Sequence, residues 1–206
     1  MKRWILLWSL LFTLLIPSTV TADEWESVGD IDGVKVWKKS VDGSNLMAFR
    51  GVVTANISIG QIMTVFLDHR QRKNWVAKYA DDKNLEKGKN YQEYWIHFKA
   101  PFPVSDRDYV LRSDGHPDRD KRTYTCKIKS VNRKDAPKND CCVRAQLNGT
   151  YYRFEALPGG RTRLTVEVHT DPRGMLPGWL VNMIQKKWPS DTLNALVREA
   201  KKHKPH

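Results

Sequence analysis

Six histidines, three cysteines and two closely spaced aspartates are the side chains of this 206-residue chain best suited to chemistry. Their spacing gives them little to do. His69, His97, His116, His169, His203 and His206 are scattered, and none has a Cys, Asp or Glu at a zinc-ligand spacing. His203 and His206 fall in a basic tail that is expected to fray. Asp106 and Asp108 share one face of any strand that holds them. With Arg107 between them they read as surface charge or loop anchors. There is no Gly-x-Ser-x-Gly elbow, no phosphate loop and no His-Glu-x-x-His pair. Asn56-Ile-Ser58 and Asn148-Gly-Thr150 are sugar-acceptor sequons, relevant only in a eukaryotic secretory pathway. The residues therefore predict no catalytic group, no metal and no cofactor.

The N-terminus predicts export. Lys2 and Arg3 precede an apolar run from Trp4 to Ile16, and Val20-Thr-Ala22 follows with compact residues where a signal peptidase cuts. The run is 13 residues, shorter than the roughly 20 of a spanning helix. Cleavage after Ala22 gives residues 1–22 as a signal peptide and 23–206 as one domain with a formal charge of +10. The expected location is the periplasm or the exterior. So basic a surface is drawn to anionic partners. An exported protein seldom meets nucleic acid, so transient contact with anionic lipid headgroups is the expectation, at about 1 kcal/mol per basic residue near the surface. A basic surface module with a solid core is the plain alternative. In an oxidising compartment, Cys126, Cys141 and Cys142 leave at least one thiol outside an internal disulfide. Pairing of Cys126 with Cys141 or Cys142 stays open beside buried free thiols. A simple hairpin closing around Ala136 would place Cys126 opposite Gln146.

The elements that must position any site are mostly strands. Gly33–Val41 and Leu46–Ala55 join at Asp42-Gly-Ser, a turn signal. Ser58 caps a helix through Ile59, Ile62, Met63, Phe66 and Leu67. A short helix covers His69 to Trp75, and a strand or irregular piece follows near Asn84. Strands then cover 91–99, 106–113, 122–131, 142–157 and 161–171. A helix from Leu176 to about Lys202 ends the chain, with Pro189 expected to kink or break it. Leu176, Trp179, Leu180, Met183 and Ile184 recur at helical spacing, so this face is expected on the sheet. Many strands flanked by long helices give an α+β fold with an antiparallel sheet.

Three stretches carry a resemblance. Ala100-Pro-Phe-Pro-Val-Ser-Asp-Arg-Asp-Tyr-Val110 looks like a Pro-rich loop followed by an Arg-Asp-aromatic-Val strand. Cys142-Val-Arg-Ala-Gln-Leu-Asn-Gly149 with Leu157-Pro-Gly-Gly160 looks like a late hairpin. His169-Thr-Asp-Pro-Arg-Gly-Met-Leu-Pro-Gly-Trp-Leu-Val-Asn182 joins the last strand to the last helix. In this order they resemble the START domain, the lipid-binding family of the helix-grip fold. Gly33-Val-Lys-Val-Trp37, Phe49-Arg-Gly51 and Arg72-Lys-Asn-Trp75 extend the likeness loosely into the N-terminal half.

The resemblance implies a curved antiparallel sheet wrapped around a long C-terminal helix, with an internal hydrophobic cavity and no enzyme activity. Strand parity then nominates the ligand contacts. Tyr109, Leu111, Tyr124 and Ile128 come from the middle strands. Val143, Leu147, Tyr152, Phe154, Leu164, Val166 and Val168 come from the late ones, and Leu176, Trp179, Leu180 and Met183 from the helix. Tyr152 and Phe154 have the opposite parity to Val143 and Leu147, so both sets face inward only with a bulge near Gly149. The resemblance puts the gate at the loop Ala100 to Ser105 and the helix start, with Phe102, Met175 and Trp179 as gate residues. Some members of the family place an acid–base pair in the cavity. Glu93 and Arg112 are the nearest candidates, but Arg112 is out of phase with Tyr109 and Leu111. The expected partner is a lipid or other hydrophobic small molecule held by a monomer. The rival class is an enzyme of the wider helix-grip superfamily, a cyclase or hydrolase with a polar cavity.

Overall fold

A computed structural model describes residues 24–137 and 142–204, so the expected signal segment, Cys141 and His206 fall outside the described residues. The chain opens with three strands, β1 (Glu26–Ile31), β2 (Val34–Val41) and β3 (Ser44–Ala55). Two helices follow, α1 (Ile59–Phe66) and the single-turn α2 (Arg72–Trp75). Then come β4 (Tyr79–Lys87), β5 (Tyr91–Phe98), β6 (Asp106–Asp118), β7 (Thr123–Ser130), β8 (Cys142–Arg144), β9 (Gln146–Leu157) and β10 (Arg161–Asp171). The helix α3 (Gly178–Ala200) closes the chain.

The strands make one sheet in the order β1-β2-β3-β10-β9-β7-β6-β5-β4, with β8 off this path on β6. Neighbours along the path are antiparallel, while β8 runs parallel to β6. β1 is missing from the sequence expectation, because Glu26-Ser-Val-Gly-Asp-Ile carries one weak alternation and no buried residue. The expected bulge is present. His169 faces Gly149 and Thr170 faces Leu147, so Asn148 is the extra residue and the inward parity switches there.

The simple hairpin between β7 and β9 is corrected. Cys126 lies opposite Tyr152, not Gln146, because the chain between them leaves the ladder to lay β8 along the start of β6. Cys126 is a free buried thiol, and Cys142 instead approaches His97 at 3.3 Å.

The helices pack by recognisable local chemistry. Ser58 Oγ accepts the Gln61 N–H at 3.3 Å and Gln61 Oε1 accepts the Ser58 N–H at 3.2 Å, a reciprocal cap that starts α1. Gln61 then donates through Nε2 to the His203 carbonyl at 2.7 Å, tying the start of α1 to the end of α3.

α3 runs unbroken through Pro189, against expectation. The proline has no N–H for the Gln185 carbonyl, but it is buried against Gly51 of β3. A Cβ on Gly51 would stand 2.6 Å from the Pro189 Cβ, so glycine is what lets the helix lie this close. From Pro189 onward, Leu193, Leu196 and Ala200 are fully buried, in one core with Val34, Val36, Phe49, Leu164, Val166 and Phe154.

The first half of α3 corrects the helix face. Trp179 and Met183 are exposed, and Leu180 is half-buried. The row turned inward is Val181, Gln185 and Pro189, continuing to Thr192 and Leu196. Polar Gln185 and Thr192 disguise this row, while the more apolar row beside it faces out.

Candidate ligand cavity

The first half of α3 meets the sheet along one side, where Asn182 Oδ1 accepts the Met47 N–H of β3 at 3.1 Å and Gln185 Nε2 donates to the Thr170 carbonyl of β10 at 3.0 Å, and it stands off from β5, β6 and β7. Between them lies a cavity of about 1090 Å³, at the top of the range for small-molecule sites, about 300–1,000 Å³. Its walls come from residues spaced two apart on adjacent strands: Tyr94, Ile96 and Phe98 of β5, Tyr109 and Leu111 of β6, Tyr124, Cys126 and Ile128 of β7. The register places Tyr94 beside Leu111 and Ile96 beside Tyr109, so one apolar face continues across the sheet. Leu147 and Tyr152 of β9 and Val168 of β10 extend it, both β9 residues facing inward because of the bulge.

α1 and α2 close one side with Met63, Phe66, Arg72 and Trp75. Phe66 is the hinge between hollow and solid, with its ring 4.9 Å from Phe154 and 5.0 Å from Tyr152, both edge to face. The roof is Leu176, Val181, Ile184, Gln185 and Trp188.

Of the residues nominated from sequence, Tyr109, Leu111, Tyr124, Ile128, Leu147, Tyr152, Val168 and Leu176 line this cavity. Val143, Phe154, Leu164, Val166, Trp179, Leu180 and Met183 stand outside its wall. Phe154, Leu164 and Val166 share the inward parity but lie under the packed half of α3. Val143 sits on the short β8, beside Gly174. Trp179, Leu180 and Met183 belong to the outward row of α3. The sequence reading missed Tyr94, Ile96 and Phe98, although their alternation in β5 was the available signal. It missed Arg72 and Trp75 because a single helical turn has no periodicity to read.

The wall is chemically quiet. Burial pushes the Cys126 thiol up to about 12 and the Tyr124 hydroxyl up to about 12. Burial also raises Tyr94, Tyr109 and Tyr152 above the usual phenol range. These groups are held neutral, and none is poised as a base near neutral pH.

Two buried arginines interrupt the apolar wall, Arg72 and Arg107. Arg107 is a fastener. Its Nε donates to the Pro172 carbonyl at 3.1 Å and its Nη2 to the Arg173 carbonyl at 3.0 Å, while Nη1 donates to the Ser105 carbonyl. It thereby clamps the 100–105 loop to the linker into α3. That linker turns at Gly174, whose φ of +77° suits glycine. Arg72 projects from α2 and lies over the Tyr94 ring, 3.6 Å from its centre. Its Nη1 donates to Asp82 at 2.8 Å and its Nη2 to Gln92 at 2.7 Å. Those bonds leave further donors of the five in its fork. Nearby, Trp75 Nε1 is buried without a hydrogen-bond partner.

The expected outward course of Arg112 is what the structure has. It pairs with Glu93 at 3.0 Å and with Asp114 on the far face of the sheet, so neither Glu93 nor Arg112 lines the cavity. Arg144 is structural as well, held by Asp108, which also accepts the Trp95 indole N–H at 2.6 Å.

At the α3 end of the cavity several large apolar side chains are exposed among basic ones, Arg173, Lys186 and Lys187. Phe102 and Met175 are fully exposed, and Trp179 is 69% exposed beside Met183 and Ile184. Among the described residues no helix is long and apolar enough to cross a membrane.

The START domain family model matches residues 17–206. An uncharacterized protein of Pseudomonas aeruginosa is 27% identical over 191 residues, covering 91% of this chain and 92% of the relative. The phosphatidylcholine transfer protein of Mus musculus is 24% identical over 183 residues, covering 87% and 85%. Among solved structures, a STAR-related lipid transfer protein from Xanthomonas axonopodis superposes with a TM-score of 0.74 at 25% identity, over 87% of this chain and 99% of that one. An aromatase/cyclase from Streptomyces superposes more distantly, with a TM-score of 0.53 at 16% identity over 75% of this chain and 93% of that one. The ten-stranded sheet, the long closing helix and the hollow between them are the helix-grip fold, and the chain belongs to the START domain family.

Proposed function

We propose that this chain is a non-catalytic carrier that binds one lipid in the cavity and exchanges it at membrane surfaces. The observation that carries the reading is the hollow itself, 1090 Å³ with apolar walls on three sides. Each methylene withdrawn from water contributes about 0.8 kcal/mol, so a ten-carbon stretch supplies about 8 kcal/mol before ordering costs. No covalent step is needed. The neutral state of Cys126 and the wall tyrosines favours a carrier over a cyclase-like enzyme.

The relatives named for lipid transfer support the same class of ligand. Arg72 is the group in the wall suited to an anionic headgroup, because it is buried, stacked and retains donors. A phospholipid fits both features. Its chains lie among Tyr94, Ile96, Leu111 and Ile128, with its phosphate toward Arg72.

Phe102, Met175 and Trp179 are the gate in this reading. Their exposure in a basic protein suits docking on an anionic bilayer, with the aromatic ring at the lipid–water boundary. Export follows from the Lys2-Arg3, Trp4–Ile16 and Ala22 arrangement, and protein from the native host is expected to begin at Asp23.

The test is native mass spectrometry of freshly purified protein, followed by lipid extraction. One lipid per chain is expected in the wild type and a smaller lipid-bound fraction in Ile96→Trp, whose indole projects into the hollow and narrows it. A folded wild type that carries no lipid and transfers none between phosphatidylcholine vesicles would sink the reading.

A further inference from the structure

We propose that His97, Asp106 and Cys142 form a binding site for a divalent cation of the zinc class on the outer face of the sheet, separate from the cavity. The three residues are far apart in sequence, and the fold brings them together from three strands. On β5 the alternation that turns Ile96 and Phe98 into the cavity turns His97 out. The register of β6 on β5 places His97 opposite Asp108, so Asp106 lies within reach of its ring. The parallel pairing of β8 with β6 sets Cys142 directly beside Asp106.

The distances define one point. His97 Nε2 stands 2.8 Å from Asp106 Oδ2, and Cys142 Sγ stands 3.3 Å from the same nitrogen. The three ligand atoms all lie within 4.8 Å of one another. A tetrahedral zinc ion, with bonds of about 2.0–2.3 Å, holds its ligand atoms about 3.3–3.6 Å apart. Shifts of about an ångström convert the observed trio into that geometry.

The arrangement is not a nucleophile relay. A relay needs the acid on one ring nitrogen and the thiol on the other, whereas here both converge on Nε2. Imidazole, carboxylate and thiolate on one centre are the donor set of zinc rather than of calcium or magnesium.

The surroundings support the carboxylate's role. The Ala100 N–H donates to Asp106 Oδ1 at 2.9 Å, which fixes the group with Oδ2 toward His97 and Cys142. The His97 and Asp106 side chains are only 12% and 17% exposed. Lys99 Nζ, 3.0 Å from Oδ2, is the competing cation, and its 65% exposed side chain has room to swing into solvent. As metal binds, the Cys142 thiol proton leaves to solvent and sulfur ligates as thiolate. Three protein ligands leave a fourth position for water, as in open zinc sites.

The probe is zinc alone, added to the purified chain. One equivalent is expected to bind by titration calorimetry. Saturating zinc is expected to slow iodoacetamide alkylation of Cys142 at least tenfold, read by peptide mass spectrometry on the wild type. Cobalt in its place should give a thiolate-to-metal charge-transfer band that Cys142→Ser abolishes. His97→Gln and Asp106→Asn should each weaken zinc binding at least tenfold, with folding checked by far-ultraviolet circular dichroism. An unchanged alkylation rate under saturating zinc overturns the site, and that result needs no variant to fold. Undiminished affinity in Cys142→Ser, or binding lost only with His203→Ala and His206→Ala, overturns it as well.

Discussion

Under the second half of α3 the sheet is filled, and under the first half it is hollow. The filled half joins Leu193 and Leu196 to Val34, Val36, Leu164 and Val166, all with no measurable exposure. In the hollow half Tyr94, Ile96, Leu111 and Ile128 face a void instead of a helix. The two halves have the same strand chemistry, alternating apolar residues on one face. What differs is which strands the helix covers: α3 rests on β2, β3 and β10, with Asn182 bonded to Met47 and Gln185 to Thr170 in its first half, and it leaves β5, β6 and β7 uncovered. Gly51 draws α3 down at Pro189, while the Arg107 clamp and the Gly174 turn fix where the helix begins, beyond the mouth. A cavity in this fold is thus made by its supports more than by its lining.

The largest expected effect lies in the filled half. Leu193→Ala removes a fully buried side chain from close packing and should cost about 2–5 kcal/mol in denaturant unfolding. Gly51→Ala tests the close approach itself. Its new methyl must displace Pro189, and about 1–3 kcal/mol of overpacking is expected, with a lower melting temperature as the readout. Stability unchanged in Gly51→Ala would mean that α3 does not rest on β3 at this point. Leu111→Ala belongs to the hollow half. It widens an existing void and removes fewer packing contacts, so in lipid-free protein it should fall at the low end of the same range, about 2 kcal/mol. Equal costs for Leu111→Ala and Leu193→Ala would erase the distinction between the halves.

The same contrast explains how much was legible in the sequence. Alternation reports which face of a strand is apolar, so Tyr109, Leu111, Tyr124 and Ile128 were found from it. The clash of parity between Leu147 and Tyr152 even called for a bulge near Gly149, and the register puts it at the neighbouring Asn148. Alternation does not report whether the facing element touches, and so Phe154, Leu164 and Val166 were nominated alongside true cavity residues. The helix misled for a different reason. Its outward row, Trp179 and Met183, is more apolar than its inward row, which carries Gln185 and Thr192. The pairing of β8 with β6 was beyond sequence reading, because a three-residue parallel strand leaves no periodic trace. Without that pairing Cys142 and His97 have no reason to meet.

The smallest expected effect on stability is the most informative about the mouth. Trp179 lies in the first turn of α3, 69% exposed, with Met183 and Ile184 beside it and Met175 and Phe102 at the same end of the molecule. Truncating an exposed side chain away from packing usually changes stability by less than about 0.5 kcal/mol, whereas removing a core tryptophan costs about 3–5 kcal/mol. Trp179→Ala should therefore melt with the wild type. If the exposed row meets the bilayer, transfer between anionic vesicles should slow severalfold, because the indole no longer anchors the mouth at the interface. Phe102→Ala should act in the same direction. The two rates are measured on proteins of matched stability and lipid content, so that a defect in docking is separated from a defect in the cavity. A fall in melting temperature with transfer unchanged would return Trp179 to the packed half of the comparison, and the outward row of α3 would then need a partner other than a membrane.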